Sequence, residues 1–129
     1  MTDDEVRLIL PAAPEYLRLA RITASGLASR LGFSYDEVDD LRLALDELCF
    51  ALVGADGRAG TLELRYMTPG EAIEIEGVLH DGGASEAPAL SDLARLILQA
   101  LVDDHAVRED GDHRPVVWLR KARVGTTRP

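Results

Sequence analysis

The chain has 129 residues, a hydrophobic share of 47% and a formal net charge of −9. This length supports one hydrophobic core, so we predict a single domain over residues 1–129. Phosphate binding needs clustered lysine and arginine, so the charge balance excludes a nucleic-acid surface and favours a protein partner with basic patches. The acidic N-terminus, and the absence of an apolar run of about 20 residues, predict a cytoplasmic protein without membrane contact.

The first two predicted elements are a strand and a helix. Val6, Leu8 and Leu10 alternate with Arg7 and Ile9, which predicts a short strand that Pro11 ends. Pro14 fits the first turn of a helix that extends to about Leu31 and stops at Gly32. Apolar residues recur at helical spacing along it and predict a buried stripe of Leu17, Ala20, Ala24, Leu27 and Leu31.

A second helix is predicted from a capping signal and a long apolar stripe. Ser34 followed by Glu37 has the spacing of a capping box. The single cysteine, Cys49, lies beside the stripe and is interpreted as a small core thiol. The link over residues 54–60 is rich in turn residues and lacks the Gly-Lys-Ser/Thr ending of a P-loop. The stripe consists of Val38, Leu41, Leu45, Leu48 and Leu52.

The next two elements are predicted to be antiparallel strands. Residues 61–66 and 72–79 both alternate, and the Pro69-Gly70 pair between them marks a turn. The strands should therefore be neighbours in a sheet that has one face exposed to solvent.

The C-terminal part should contain one helix and one strand. Ser91 is a predicted N-cap for a third helix, from Asp92 to about Asp103. Asp103-Asp104-His105 is interpreted as the charged end of that helix and His113 as an exposed turn residue, since neither has metal-ligand spacing. A final strand is predicted at residues 116–121, before a frayed tail at 124–129. The third helix should face inward through Leu93, Ile97 and Leu101, and partly through Ala94 and Leu98.

This order of elements predicts an α/β two-layer sandwich, with helices packed on one face of a mixed, mostly antiparallel sheet. Four segments of the chain closely match the residue pattern of one known family: residues 10–17, 21–23, 25–37 and 39–52. Through them the chain resembles the RsbW-type anti-sigma-factor serine kinases of the GHKL (histidine-kinase-like) ATPase superfamily. The resemblance implies the same fold, and the order of the later elements fits it.

The resemblance implies that the second helix carries part of an ATP site. In that family a glutamate acts as general base and an asparagine four residues later holds Mg²⁺. Here Glu47 keeps the first position, but Ala51 stands at the second and has no oxygen to offer. From the residues alone, Glu47 is an ordinary solvated helix carboxylate; with the resemblance, it is a vestigial or reassigned pocket residue.

The resemblance implies two further elements of that ATP site, an adenine-binding turn and a lid over the phosphates. Asp81 and Gly83 match a turn that binds adenine, although an Asp-Gly pair after a strand is also an everyday turn. The family's long lid ends at a glycine-rich helix N-terminus, but here only residues 84–90 separate Gly83 from Ser91. Asp92 also places a negative charge on the helix end that would face a triphosphate. We therefore expect a shortened lid, a degenerate site and no bound cofactor.

The function implied is that of an anti-sigma factor. It would sequester an alternative RNA polymerase sigma factor, and an anti-anti-sigma (STAS-type) partner would release it, with kinase activity weak or lost. Arg21 matches a family arginine that contacts both partners, although alone it is an ordinary exposed helix charge. Homodimerisation through the first strand and helix is also implied. The alternatives are an active ATP- and Mg²⁺-dependent serine/threonine kinase acting through Glu47, and a GHKL-derived module with an unrelated partner.

Overall fold

A computed structural model describes residues 4–83 and 88–124 of the chain. The predicted tail at 124–129 lies outside the described residues except for Val124, and the shortened lid lies partly outside them. In chain order the elements are β1 (Glu5–Pro11), a 3-10 turn (Pro14–Tyr16), α1 (Leu17–Arg30), α2 (Tyr35–Val53), β2 (Thr61–Met67), β3 (Ala72–His80), α3 (Asp92–Leu101), β4 (Asp104–Glu109) and β5 (Pro115–Ala122).

The strands form a five-stranded sheet in the order β1-β2-β3-β5-β4. All four pairings among the described strands are antiparallel. β1 and β4 are therefore the two edges of the sheet, and β3 lies at its centre. The α/β sandwich expected from the sequence is confirmed, although the described strands pair only in antiparallel fashion and the sheet is not mixed.

One face of the sheet packs against the helices. Alternate residues of β2, namely Leu62, Leu64 and Tyr66, are completely buried. The phenolic oxygen of Tyr66 donates to the carbonyl of Ala20 at 2.9 Å, which ties the sheet to α1. Burial raises the pKa of this phenol, so it remains a donor at neutral pH. The buried stripe of α1 is Leu17, Ala20, Ala24 and Ala28.

The opposite face of the sheet is covered by ion pairs. Arg7 contacts Glu63 at 3.2 Å, while Arg65 and Arg108 both contact Glu76, at 3.4 and 2.9 Å. These pairs cross β1 to β2, β2 to β3, and β3 to β4 over the intervening β5. The solvent-exposed face predicted for the β2–β3 hairpin is therefore confirmed.

The caps of the helices agree with the sequence. The Ser34 hydroxyl accepts from the Glu37 amide at 3.1 Å, and the Glu37 carboxylate accepts from the Ser34 amide at 2.8 Å, which completes the capping box. Ser91 caps α3 in the predicted way, because its hydroxyl accepts from the Ala94 amide at 3.0 Å.

Two predictions about the C-terminal part are wrong. The third helix ends at Leu101, and Asp104 and His105 begin an edge strand, β4, rather than ending the helix. The inward face of α3 also differs, since Ala94 and Leu98 are buried whereas Leu93 is 67% exposed. The apolar residues of this helix lie on two sides of it, and packing selects the stripe that continues from the buried Leu90.

Candidate functional site

The predicted Mg²⁺-ligand position lies in the last turns of α2. Glu47 is half-buried and lines a groove, while the Ala51 methyl group packs against the core. Ala51 provides no oxygen, and the described residues contain no group of three or more His, Cys, Asp or Glu side chains that could hold a metal. Glu47 thus retains a carboxylate, but the neighbouring ligand position is apolar.

Asp81 and Gly83 lie in the turn that follows β3. Both are exposed and both have positive φ angles, 59° and 76°. The link before β2 passes very close to this turn, because a Cβ on Gly60 would lie 2.0 Å from the His80 carbonyl oxygen. A non-glycine residue in the left-handed region is uncommon, although aspartate tolerates it well.

The last turns of α2 pack against the middle of β3, the strand that leads into the Asp81 turn. The Leu52 side chain is 3.3 Å from the position of a Cβ on Gly77, so the last turns of α2 cross β3 there. Asp81 follows four residues later, about 13 Å further along the chain. The elements that carry Glu47 and Asp81 are therefore neighbours in the fold, and the role of these residues in nucleotide binding stays a prediction.

The N-terminus of α3 would form the third element. The Ser91 hydroxyl accepts a hydrogen bond from the Ala94 amide, and the exposed Asp92 lies in the first turn of α3. A helix N-terminus binds phosphate through free amides and its positive dipole end. A carboxylate in that turn partly neutralises the dipole, and the serine removes one free donor.

Arg21 lies on α1, away from the buried stripe, as predicted. Its Nη1 donates to Asp46 Oδ1 of α2 at 2.8 Å, and the two side chains are 32% and 37% exposed. Sequence analysis missed Asp46 as the partner of Arg21. The two residues are 25 positions apart in sequence, and their contact depends on the register between two packed helices.

Cys49 is confirmed as a core thiol. It is buried, and burial, followed by the nearby Asp46 charge, raises the pKa of the thiol to about 12. A thiol with so high a pKa is protonated at neutral pH, and it is not the nucleophile of a catalytic site.

Sequence analysis also missed a row of hydrogen-bonded polar side chains beside the Asp81 turn. His80 Nε2 lies 2.8 Å from Glu63, and its Nδ1 lies 3.1 Å from the guanidinium of Arg114, which also binds Asp110. A guanidinium can only donate, so Nδ1 is the acceptor and Nε2 carries the hydrogen donated to Glu63. This chain connects the ends of β2 and β3 to the β4–β5 turn.

No helix in the described part of the chain combines the length and the apolar composition needed to cross a membrane.

Comparison with known proteins shows the family to which this fold belongs. The family described as Histidine kinase-like ATPase domain matches residues 10–121, so the chain belongs to that family. Within it, the chain is a member of the RsbW type. A relative called Serine-protein kinase RsbW, from Listeria monocytogenes serotype 4a, is 32% identical over 121 residues, which cover 78% of this chain and 77% of the relative.

Relatives from Bacillus carry the same name and match over a shorter region. That of Bacillus pumilus is 37% identical over 89 residues, 65% of this chain and 54% of the relative. That of Bacillus subtilis is 34% identical over 85 residues, 64% of this chain and 52% of the relative. The chain thus spans about half the length of the Bacillus proteins that it matches.

Proposed function

We propose that this protein is a cytoplasmic anti-sigma factor that has lost most or all of its kinase activity. It sequesters an alternative sigma factor and is released by an anti-anti-sigma partner with a STAS domain. Membership of the RsbW type supports the regulatory role. The observation that carries the loss of activity is Ala51, a methyl group at the family's Mg²⁺-ligand position.

Weak or absent nucleotide binding follows from two independent features. Mg²⁺ requires a nearly octahedral oxygen shell and is held in kinases by protein oxygens together with the phosphates. Ala51 removes one such oxygen, and the Asp92 carboxylate repels phosphate at the α3 N-terminus. We therefore propose that the protein holds neither ATP nor Mg²⁺ as a resident cofactor.

An active serine kinase is the second candidate. It is favoured by Glu47, whose carboxylate is retained and partly accessible, and by the name of the relatives, serine-protein kinase. This candidate needs another group to hold the metal.

The partner-binding role of Arg21 provides the test of the leading proposal. A desolvated arginine at an interface commonly contributes about 2 kcal/mol or more, so Arg21→Ala should weaken binding to a cognate sigma factor roughly thirtyfold. Titration calorimetry with both proteins measures this change. Arg95→Ala is the matched control, because Arg95 is an exposed arginine on α3, outside both α1 and β1.

Circular dichroism and thermal unfolding should show equal folding of both variants, since neither arginine belongs to the buried stripe. Equal affinities of wild type and Arg21→Ala would remove Arg21 from the interface. If the wild-type protein binds no sigma factor of its own organism, the proposed function itself is wrong.

A further inference from the structure

β4 is an edge strand whose outer side offers unpaired backbone groups. Among the described strands it pairs only with β5, and Ala106 lies opposite Trp118 in that pairing. Just beyond the strand, the Asp110 amide donates to the Arg114 carbonyl at 3.0 Å, in the same register. Hydrogen-bonded positions alternate in an antiparallel ladder. The even-numbered residues of β4 therefore bond to β5, and the odd-numbered ones point their N–H and C=O groups outward.

The His105 amide agrees with this alternation. It donates to the carboxylate of the neighbouring Asp104 at 2.9 Å, and not to β5. His105 and Val107 are the two outward-facing residues near the middle of β4. Unpaired N–H and C=O groups at a sheet edge are a template for one more strand. We therefore asked which strand the side chains of β4 would accept.

The even-numbered side chains of β4 lie on the solvent face of the sheet, because Arg108 contacts Glu76 there at 2.9 Å. In order they are Asp104, Ala106 and Arg108: a carboxylate, a methyl group and a guanidinium at equal spacing. The Arg108 side chain is 49% exposed. A guanidinium has five N–H donors, so Arg108 can bind a second carboxylate without releasing Glu76.

This pattern of charges is complementary to itself. When the β4 strands of two copies run antiparallel with Ala106 opposite Ala106, each Asp104 lies opposite the Arg108 of the other copy. Directly opposed unlike charges stabilise a pair of strands, whereas like charges destabilise it. Ala106 also suits the centre of the pair, because side chains approach closely at a position without hydrogen bonds and a methyl group leaves room.

The same register matches the backbone groups. It places His105 opposite Val107 of the other copy, and these are the residues whose backbone groups point outward. The two neighbouring registers that also match them lose both ion pairs, since Asp104 faces Asp110 in one and Ala106 in the other. The side chains therefore select one register, and they favour a second copy of this chain over a strand without complementary charges.

We propose that β4 is a self-association surface, on which a second copy of this chain pairs antiparallel with Ala106 at the centre. The Val107 carbonyl of one copy replaces the Asp104 carboxylate as the acceptor of the His105 amide of the other. The freed carboxylate then binds Arg108 of the first copy. The contact is symmetric, as in most homo-oligomers.

This pairing is independent of the proposed regulatory function. β1 and β4 are opposite edges of the sheet, so a homodimer through β1 leaves β4 free to join two such dimers. About four backbone hydrogen bonds and two ion pairs make a contact smaller than a stable interface. The pairing should therefore be reversible and increase with protein concentration.

Disulfide trapping tests the register. Directly opposed Cα atoms at a position without hydrogen bonds are about 4.5 Å apart, a distance that a disulfide spans. Ala106→Cys should therefore give a disulfide-linked dimer under mild oxidation. Glu109→Cys is the matched control, because Glu109 is exposed on the same strand but would lie about 20 Å from its own copy. The native Cys49 is buried and does not compete.

We expect the disulfide of Ala106→Cys to form about tenfold faster than that of Glu109→Cys. In the Ala106→Cys background, Asp104→Arg places arginines opposite each other and should slow the reaction about tenfold at low salt. Addition of Arg108→Asp restores unlike charges at both positions and should recover the rate. Because Arg108→Asp brings a carboxylate near Glu76, thermal unfolding must first show that each variant is folded.

Hydrogen exchange of the wild type provides a measurement without any substitution. The amides of His105 and Val107 should exchange several-fold more slowly as the protein concentration rises, whereas the Ala106 amide, already bonded to β5, should not change. Exchange that is independent of concentration would overturn the pairing, and so would equal disulfide rates for Ala106→Cys and Glu109→Cys. A folded double charge variant that does not recover the rate would overturn the register.

Discussion

At the scale of single residues, the proposed loss of kinase activity rests on the chemistry of a few atoms. Glu47 keeps a carboxylate that can accept a proton, whereas Ala51 presents a methyl group where an amide oxygen would hold a metal. Hydrated Mg²⁺ loses its waters reluctantly and gains nothing from an apolar contact. We therefore expect little phosphoryl transfer from a retained base without a metal ligand, because that reaction depends mainly on positioning and charge neutralisation.

We predict that ATP with Mg²⁺ binds weakly or not at all, and that Ala51→Asn alone does not restore kinase activity. The substitution returns one ligand but leaves the Asp92 charge at the α3 N-terminus. Calorimetry measures nucleotide binding, and radiolabelled phosphate transfer to an anti-anti-sigma protein measures activity. The Bacillus subtilis relative is the positive control for both assays.

Ala51 packs against the core, so the folding of Ala51→Asn must be verified by thermal unfolding before its activity is interpreted. Micromolar, Mg²⁺-dependent binding by the wild type would contradict the first prediction. Phosphate transfer by the single variant would show that the α3 N-terminus does not block the site.

Residue-level prediction succeeded where the signal is local in sequence. Glu47 and Ala51 are one helical turn apart, and Asp81 follows its strand directly, so their placement could be predicted. The contact between Arg21 and Asp46 could not, because it depends on how two helices pack. The same is true of the chain formed by Glu63, His80 and Arg114, which joins three separate parts of the sheet.

At the scale of elements, the helix ends were predictable and the edge strand was not. The capping box at α2 and the N-cap of α3 need only residues three apart. β4 has the sequence Asp-His-Ala-Val-Arg-Glu and contains one strongly apolar residue, Val107. Because it pairs only with β5, its backbone hydrogen bonds rather than its side chains define it as a strand.

We predict that Ser34→Ala lowers the stability of the protein by about 1 kcal/mol, which corresponds to a decrease of roughly 3 to 4 °C in Tm for a chain of this size. The hydroxyl is the acceptor of the Glu37 amide, and alanine leaves that donor to water. Thermal unfolding measures the change. Ser29→Ala is the control, because Ser29 is an exposed serine in the last turns of α1. An equal Tm for wild type and Ser34→Ala would contradict the prediction.

Glu37 gives the same cap a dependence on pH. Partial burial opposes ionisation of its carboxylate, but hydrogen bonds from the backbone amides of Ser34 and Val124 outweigh burial and lower its pKa below 4.5. A lowered pKa in the folded state stabilises the protein above the unfolded-state pKa, and this contribution is lost as the pH falls through the folded-state value. The stability difference between wild type and Glu37→Gln should therefore be present at neutral pH and shrink in acid.

At the scale of the whole molecule, the two edges of the sheet differ in their surroundings. The β1 edge carries Val6 and Ile9, which are 37% and 62% exposed. Beside it lies a cavity of about 430 Å³ whose apolar walls include Val6, Leu27 and Leu31. Tyr16 of the 3-10 turn and Leu19 of α1 are also exposed, by 39% and 43%. An open strand edge next to exposed apolar side chains is a common site of self-association.

We predict that the protein forms a homodimer through β1 and α1, with the same surface on both copies. Sedimentation equilibrium should then give twice the chain mass of 14.0 kDa. Leu19→Glu should weaken the dimer, because a carboxylate buried without a partner costs about 2 kcal/mol or more, or roughly thirtyfold in Kd. Leu93→Glu is the matched control, since Leu93 is at least as exposed but lies on α3, which packs against α2 and against β4, the sheet edge opposite β1. A monomer at all concentrations, or equal weakening by both variants, would show that β1 and α1 do not form the interface.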